Sequence, residues 1–277
     1  MVGFIVPVKP KMVSKDWDYD NTLLERTARS ICAQTDQNFK LFIVYNDQPE
    51  ISFTHPNLIF VHFPFPSVAL DDFEDLDYVL KYYKADYAVK MMDKGKKILY
   101  GCKQAIEAGC KYLMGVDSDD LISNKLVSFA NSHAHSGKPG WVIKKGYIYE
   151  ENSMMLVKKS DMQNINGSTH IIRKDLVNIP DFSSNMFWDY NLFEAHGYTY
   201  SRIRDFHHEL LDDYPLYGVI YIVHKNNYSN IFHLTTKISI KNIIKKIVRG
   251  KFLTEEIRKE YVLYKVDNHN GVSTSKK

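Results

Sequence analysis

Asp117, Ser118, Asp119 and Asp120 place three carboxylates within one short stretch, directly after the apolar run Tyr112-Leu113-Met114-Gly115-Val116. A short apolar run bounded by polar residues predicts a buried strand. Carboxylates at the end of such a strand repel one another and are costly to desolvate. A divalent cation relieves both costs, because hard cations take oxygen ligands. Strand alternation puts Asp117 and Asp119 on one side while the backbone stays extended. The carboxyl edge of an open α/β sheet is also where ligands bind, and a cation held there can carry a diphosphate. The same residues would serve equally as a solvated acidic turn capping the next helix, since Asp and Ser are common caps.

The elements that must position this stretch are legible from periodicity. Gly3 to Val8 is an apolar strand candidate, followed by a polar loop from Lys9 to Asp20. Thr22-x-x-Glu25 is a capping-box pattern, and Leu24, Ala28 and Ile31 form a helical face ending near Gln34. Phe39 to Val44 and Leu58 to Phe63 are further strands, the latter stopped by Pro64 and Pro66. Strand, helix and strand in this order imply a parallel sheet with helices on its faces. Ser67 to Met92 reads as a partly helical insertion. A helix from Lys94 to Gly109 then leads into the strand before Asp117, and Ser123 caps another that ends near Gly137. The start of the Lys94 helix is crowded by Lys94, Lys96 and Lys97, which oppose the macrodipole. A diphosphate beside Lys97 would compensate, and so would Asp93 or solvent.

The second half is more mixed. Trp141 to Tyr149, Ser168 to Arg173 and Val219 to Val223 read as strands, and Trp188 to His196 as a short helix closed by Gly197. Residues 235–251 contain Lys237, Lys241, Lys245, Lys246, Arg249 and Lys251 with no acid, and Ile240, Ile243, Ile244, Ile247 and Val248 form one helical face. Such a segment could lie on an anionic membrane face through 237–251, or pack on the body with its basic side solvated. Residues 268–277 read as a disordered tail.

Composition bounds the class. The chain has 277 residues, 44% hydrophobic and 25% charged, enough to bury a real core. A net charge of +3 does not by itself imply nucleic acid. Cys32, Cys102 and Cys110 have no framework spacing, which points to reduced thiols in a cytoplasmic setting. No apolar stretch is long enough to span a bilayer. Asn166-Gly167-Ser168 and Asn227-Tyr228-Ser229 match a glycosylation pattern by chance in a chain without an export signal. His133, His135, His207 and His208 read as surface histidines.

Taken in order, Ile5-Val6-Pro7-Val8, the helix to Gln34 with the strand to Asp47, the helix from Asp93 to Gly109, and Val116-Asp117-Ser118-Asp119-Asp120 resemble the GT-A glycosyltransferases, in particular glycosyltransferase family 2. The resemblance covers roughly residues 1–230. It implies an α/β, Rossmann-like, mostly parallel sheet flanked by helices, with a nucleotide-binding half over 1–122 and a mixed acceptor-side half over 123–234. A basic helical extension over 235–267 and the tail follow. It implies Mn²⁺ or Mg²⁺ on Asp119 and Asp117, with Asp117 also contacting the ribose and Asp120 in support. His224, in Val223-His224-Lys225-Asn226-Asn227-Tyr228-Ser229, is similar to a later histidine that completes the metal shell; a lone histidine after a strand is also commonly structural.

The same resemblance puts Tyr45 and Asp47 at the base and ribose. Here Asn46 stands where an acid is usual, and a plain strand-to-turn junction is the alternative. Pro7 and Val8 would line the nucleotide through backbone groups. Phe187-Trp188-Asp189-Tyr190-Asn191-Leu192 is similar to the element that carries the general base. That makes Asp189 the base, with Trp188 in place of the usual Glu and free to stack on the acceptor sugar; a helix N-terminal acid is the other reading of Asp189. The activity implied is sugar transfer from a nucleotide donor to a hydroxyl of a glycan or lipid-linked acceptor, with inversion. The setting implied is bacterial surface-polysaccharide synthesis, in the cytoplasm or at the inner membrane face. A sugar-phosphate nucleotidylyltransferase should have a Gly-rich basic loop after the first strand, and Lys9-Pro10-Lys11 lacks the glycines. A phosphohydrolase should have a nucleophilic Asp near that strand, and none is there. A non-catalytic binder of glycan or nucleotide is the remaining rival.

Overall fold

A computed structural model describes residues 1–134, 137–190, 192–193, 198–224 and 250–266. The chain starts with β1 (Val2–Pro7), buried along its whole length. After it come α1 (Trp17–Cys32), β2 (Phe39–Tyr45) and β3 (Leu58–His62). A short α2 (Leu76–Val79) precedes the long α3 (Ala85–Glu107). Next are β4 (Tyr112–Gly115), β5 (Leu121–Ile122) and α4 (Leu126–His133). The second half supplies β6 (Gly140–Val142), β7 (Gly146–Glu150), β8 (Met155–Lys159) and β9 (His170–Arg173). It continues with a 3₁₀ turn at Phe187–Tyr190, α5 (Tyr198–His207), β10 (Asp212–Asp213) and β11 (Val219–Val223). The last elements are β12 (Gly250–Phe252) and α6 (Glu255–Tyr261).

Two sheets result, in a mixed α/β architecture. The first has the order β10-β6-β9-β4-β1-β2-β3, the second β12-β8-β7-β11-β5. β4, β1, β2 and β3 run parallel to their neighbours, and β9 then turns antiparallel to β4. The chain leaves β1 toward β2 on one side and returns to β4 on the other. The gap between β1 and β4 is therefore the topological switch point, where α/β sheets bind ligands. α1 and α4 cover one face through Leu24, Ala28, Ile31, Leu126 and Val127. α3 covers the other through Ile98, Leu99, Cys102 and Ala105 against Ile5, Phe42 and Val44. α3 comes very close here: a Cβ on Gly101 would lie 2.4 Å from Ile5 Cγ2.

Several expectations are revised. α1 starts at Trp17, because Asp16 Oδ1 accepts from Tyr19 N at 3.1 Å; the Thr22-x-x-Glu25 pattern lies inside the helix, and Glu25 turns to Ser52 instead. α3 starts at Ala85, so Lys94, Lys96 and Lys97 sit mid-helix and no macrodipole conflict exists. The run Trp141–Tyr149 is two strands in two sheets. Lys144 and Lys145 interrupt it, pairing with Asp213 and donating to Pro215 O. Of the stretch Trp188–His196, the first three residues lie in a 3₁₀ turn over Phe187–Tyr190; residues 191 and 194–197 lie outside the described residues. Ser123 lies ahead of α4, whose N-cap is Lys125. The division at residue 122 is crossed by hydrogen bonding: β6, β9 and β10 complete the first sheet, and β5 joins the second.

Of the basic segment 237–251, residues 237–249 lie outside the described residues, as does the tail 268–277. Gly250–Phe252 is a strand on β8, not the end of a helix. α6 packs Ile257 and Tyr261 into the second sheet's core. No helix among the described residues is long and apolar enough to cross a membrane.

Candidate active site

The carboxyl edge of β4 continues as an extended Val116, bonded to Ile5 O, and then turns: Asp120 N donates to Asp117 O at 3.1 Å. The turn splits the three carboxylates. Asp120 points inward and is fully buried. Its Oδ2 accepts from Asn166 Nδ2 and Ser168 Oγ, and the Ser168 hydroxyl oxygen accepts from Asp117 N at 2.8 Å. Burial, then the charges of Asp117 and Asp119, push the Asp120 carboxyl well above its usual range. Asp120 is thus an anchor beneath the turn, with Thr27 Oγ1 donating to Ser118 O as a second fastening.

Asp117 and Asp119 remain at the surface of the edge, each with one side-chain partner among the described residues. Lys94 Nζ reaches Asp117 Oδ1 at 2.7 Å. His224 Nε2 meets Asp119 Oδ2 at 2.9 Å. His224 follows β11, is buried, and packs edge-on against Tyr19 at 5.6 Å. Burial, then the charge of Glu151, pushes the Tyr19 hydroxyl up to about 12. Burial also pushes the Asp119 carboxyl up, but the hydrogen bond and charge of His224, with Lys94 and Lys9 beyond, outweigh it and hold the group below the usual carboxylate range.

Asp119 Oδ2 and His224 Nε2 meet at hydrogen-bond distance, a separation that two neighbouring ligands of one ion would also have. In an octahedral site, neighbouring ligand atoms each ~2.1 Å from the ion lie about 3 Å apart. Oδ2 and Nε2 stand 2.9 Å apart, and carboxylate with imidazole suits Mn²⁺. Among the described residues no group of three or more His, Cys, Asp or Glu converges as a ligand set. A cation that keeps waters and substrate phosphates in its shell needs only one or two protein ligands, so the pair fits such an ion.

The other predicted positions are distributed as follows. Lys97 is fully buried; its Nζ donates to Val8 O at 2.9 Å and to Asp93 Oδ2 at 2.8 Å. Burial pushes its ammonium down, with Asp93 acting against it. Lys97 therefore ties α3 to the end of β1, and Lys94, one turn earlier, is the lysine that faces the edge. Val8 N donates to Val44 O at 2.8 Å, so both backbone groups of Val8 have protein partners, while Pro7 ends β1 beside the switch point. Tyr45 ends β2 with its ring against Phe60 and His62. Asp47 is exposed and accepts from Lys11 N at 2.7 Å, and Asn46 donates to Phe65 O.

Asp189 is exposed on the 3₁₀ turn. That turn packs on α3 at Gly95, where a Cβ would lie 2.0 Å from Tyr190 O, and Phe193 lies near Gly115 at the end of β4. The turn bearing Asp189 thus crosses α3 next to Lys94. Asn166, Ser168 and Tyr19 escape a reading by sequence: Asn-Gly-Ser offers only a glycosylation look-alike, and nothing local ties it to Asp120. Lys94 was distinguishable from Lys97 only by helical phase.

No protein-family model matches the chain, and no curated protein matches it. Among solved structures it is similar to S. aureus TarS 1-349 in complex with UDP, at 15% identity over 80% of this chain and 60% of that one, with a TM-score of 0.46. It is similar to a second structure of S. aureus TarS 1-349 at 12% identity over 90% and 78%, TM-score 0.47. It is also similar to Francisella tularensis 2-C-methyl-D-erythritol 4-phosphate cytidylyltransferase (IspD) at 10% identity over 90% and 99%, TM-score 0.39. The chain spans less than two thirds of the TarS chain solved with UDP.

Proposed function

We propose that the protein is a metal-dependent glycosyltransferase that moves a sugar from a nucleotide-sugar donor to a hydroxyl of a glycan or lipid-linked acceptor. The observation that carries this is the Asp119–His224 pair, 2.9 Å apart, at the carboxyl edge of β4 beside the switch point. A Mn²⁺ or Mg²⁺ ion bound by that pair would neutralise charge on a departing diphosphate, worth several kcal/mol in the transition state.

The chain's own residues supply the rest. Lys94 and Asp117 form a charged pair at the same edge, so an incoming phosphate and ribose would compete for them. Asp120, Asn166 and Ser168 hold the turn rigid, which keeps Asp119 pointed outward. Asp189 takes the proton from the acceptor hydroxyl as its oxygen bonds to the anomeric carbon and the nucleoside diphosphate leaves from the opposite side. That geometry inverts the anomeric centre. Tyr45 and Asp47, at the end of β2, would flank the base and ribose.

Isothermal titration with UDP and other nucleoside diphosphates, with and without Mn²⁺, tests the donor site, and a donor screen for nucleoside diphosphate release tests turnover. Asp119→Asn is expected to remove the metal-dependent heat and slow release by about 100-fold or more. Asp189→Asn is expected to keep the heat and slow release by about 10²–10⁴-fold. Release that is unchanged in Asp119→Asn would exclude the metal role. Metal-dependent heat without release for any donor would make the protein a non-catalytic nucleotide binder.

A further inference from the structure

The stretch around α2 carries Tyr78, Tyr82, Tyr83 and Tyr87, and the chemistry above uses none of them. Tyr78, Tyr82 and Tyr87 are 49%, 62% and 46% exposed. The Tyr78 and Tyr82 rings lie 5.2 Å apart, and they meet the Trp188 ring edge-on at 5.7 and 6.3 Å. Tyr83 lies 6.0 Å from Trp188 and stacks on Tyr87 at 5.9 Å. The rings form one continuous shelf that runs from solvent to Trp188, the residue before Asp189.

Three tyrosine rings this exposed and gathered in one place form a candidate contact surface. The composition of the shelf says for what. Its exposed rings are tyrosines, each an apolar face with a hydroxyl at its rim. A pyranose ring has the matching pattern, a face of C–H groups edged by hydroxyls. The charged neighbours Asp77, Lys81, Lys84, Asp86 and Lys90 are all exposed and of both signs, and Lys81 lies over the Tyr78 ring at 5.8 Å. Anionic lipid surfaces and nucleic acids attract clusters of one sign, so this mixed rim disfavours both. A neutral chain of sugars is the occupant that the shelf fits.

We infer that the Tyr78–Tyr82–Trp188 shelf binds the sugar chain of the acceptor and leads its terminal hydroxyl to Asp189. This rests on the glycosyltransferase reading and adds the acceptor's class, a neutral oligosaccharide. Stacking on rings is tolerant of sugar identity, so the shelf sets the class and leaves the linkage to other contacts.

The test uses the full chain and linear neutral hexasaccharides of glucose, N-acetylglucosamine and galactose, followed by tryptophan fluorescence and saturation-transfer NMR. At least one should bind with a dissociation constant of about 1 mM or tighter. Tyr82→Ala, on an exposed ring, should weaken it by about fivefold to tenfold while the UDP and Mn²⁺ titration is unchanged; Tyr82→Phe should retain most of the affinity. Saturation transfer should fall on sugar C–H protons and vanish in Tyr78→Ala/Tyr82→Ala. Absence of binding by every hexasaccharide, or binding indifferent to Tyr78 and Tyr82, overturns the inference. So does Tyr82-dependent co-sedimentation with phosphatidylglycerol vesicles in place of sugar binding. Sugar binding without metal-dependent heat from any nucleoside diphosphate would uphold the shelf and overturn the glycosyltransferase reading; such heat together with donor turnover but no sugar binding would overturn the shelf alone.

Discussion

Lys97→Met separates two roles that one lysine could have had. If Lys97 held a diphosphate, the substitution would lower nucleotide affinity and leave stability nearly unchanged. The structure places its ammonium at 0% side-chain exposure against Asp93, 12% exposed, at 2.8 Å. Removing the ammonium leaves the Asp93 carboxyl buried without its counter-charge, and Asp93 Oδ1 has no hydrogen-bond partner among the described residues even before that. Breaking a buried pair from one side costs about 3–5 kcal/mol. For a chain of this size that corresponds to a melting point lower by about 6–10 °C, at roughly 2 °C per kcal/mol. Burial already pushes the Asp93 carboxyl up, so uptake of a proton sets the lower end of that range. Asp93→Asn together with Lys97→Met leaves no buried charge and should recover more than half of the loss. Urea and thermal unfolding of the three proteins measure this, with UDP and Mn²⁺ titrated into each. A Lys97→Met protein that melts within about 1 °C of the parent yet loses nucleotide binding would refute the structural role and return Lys97 to the diphosphate.

Two further predictions concern the frame of the site. Gly95→Ala puts a methyl 2.0 Å from Tyr190 O, a backbone atom that cannot yield cheaply. It should destabilise the fold by about 1–3 kcal/mol and lower kcat more than nucleotide affinity, as melting and turnover would show. Partial burial pushes the Glu25 carboxyl up, but hydrogen bonds from Arg29 and from the Ser52 amide and hydroxyl outweigh it and hold it below its ordinary value of 4.5. A depressed carboxylate stabilises the fold above its unfolded value and ceases to as pH falls through the native one. Glu25→Gln should therefore cost about 1–3 kcal/mol at pH 7 and nothing in acid below the native value, read from urea midpoints across pH; a cost that persists there would contradict the hydrogen-bonded account.

Much of residues 1–122 was legible from local pattern. β1, β2, β3 and β4 are apolar runs with polar ends, and the amphipathic phases of α1 and α3 mark helices that cover a sheet. The acidic stretch after Val116 identified the edge of interest, since three carboxylates after a buried strand require an explanation. Limits appeared where an element's start depends on a distant partner. Ala85–Met92 belongs to α3 because Ala88, Met91 and Met92 find cover in the same core as Phe73 and Phe187. Nothing within that run distinguishes it from an isolated insertion.

Residue types and short spacings depend only on neighbours along the chain, so the sequence by itself determined the α/β alternation and the acidic edge, while Asp117, Asp119 and His224 entered as candidate ligands through the family resemblance. Tertiary structure alone decided which of those groups meet. It joined Asp119 to His224 across 105 residues, turned Asp120 inward to Asn166 and Ser168, gave Lys94 rather than Lys97 to the edge, and gathered the tyrosines against Trp188. Those outcomes depend on where burial leaves a charge exposed or covered, and burial is a property of the packed whole, which no stretch of sequence carries alone.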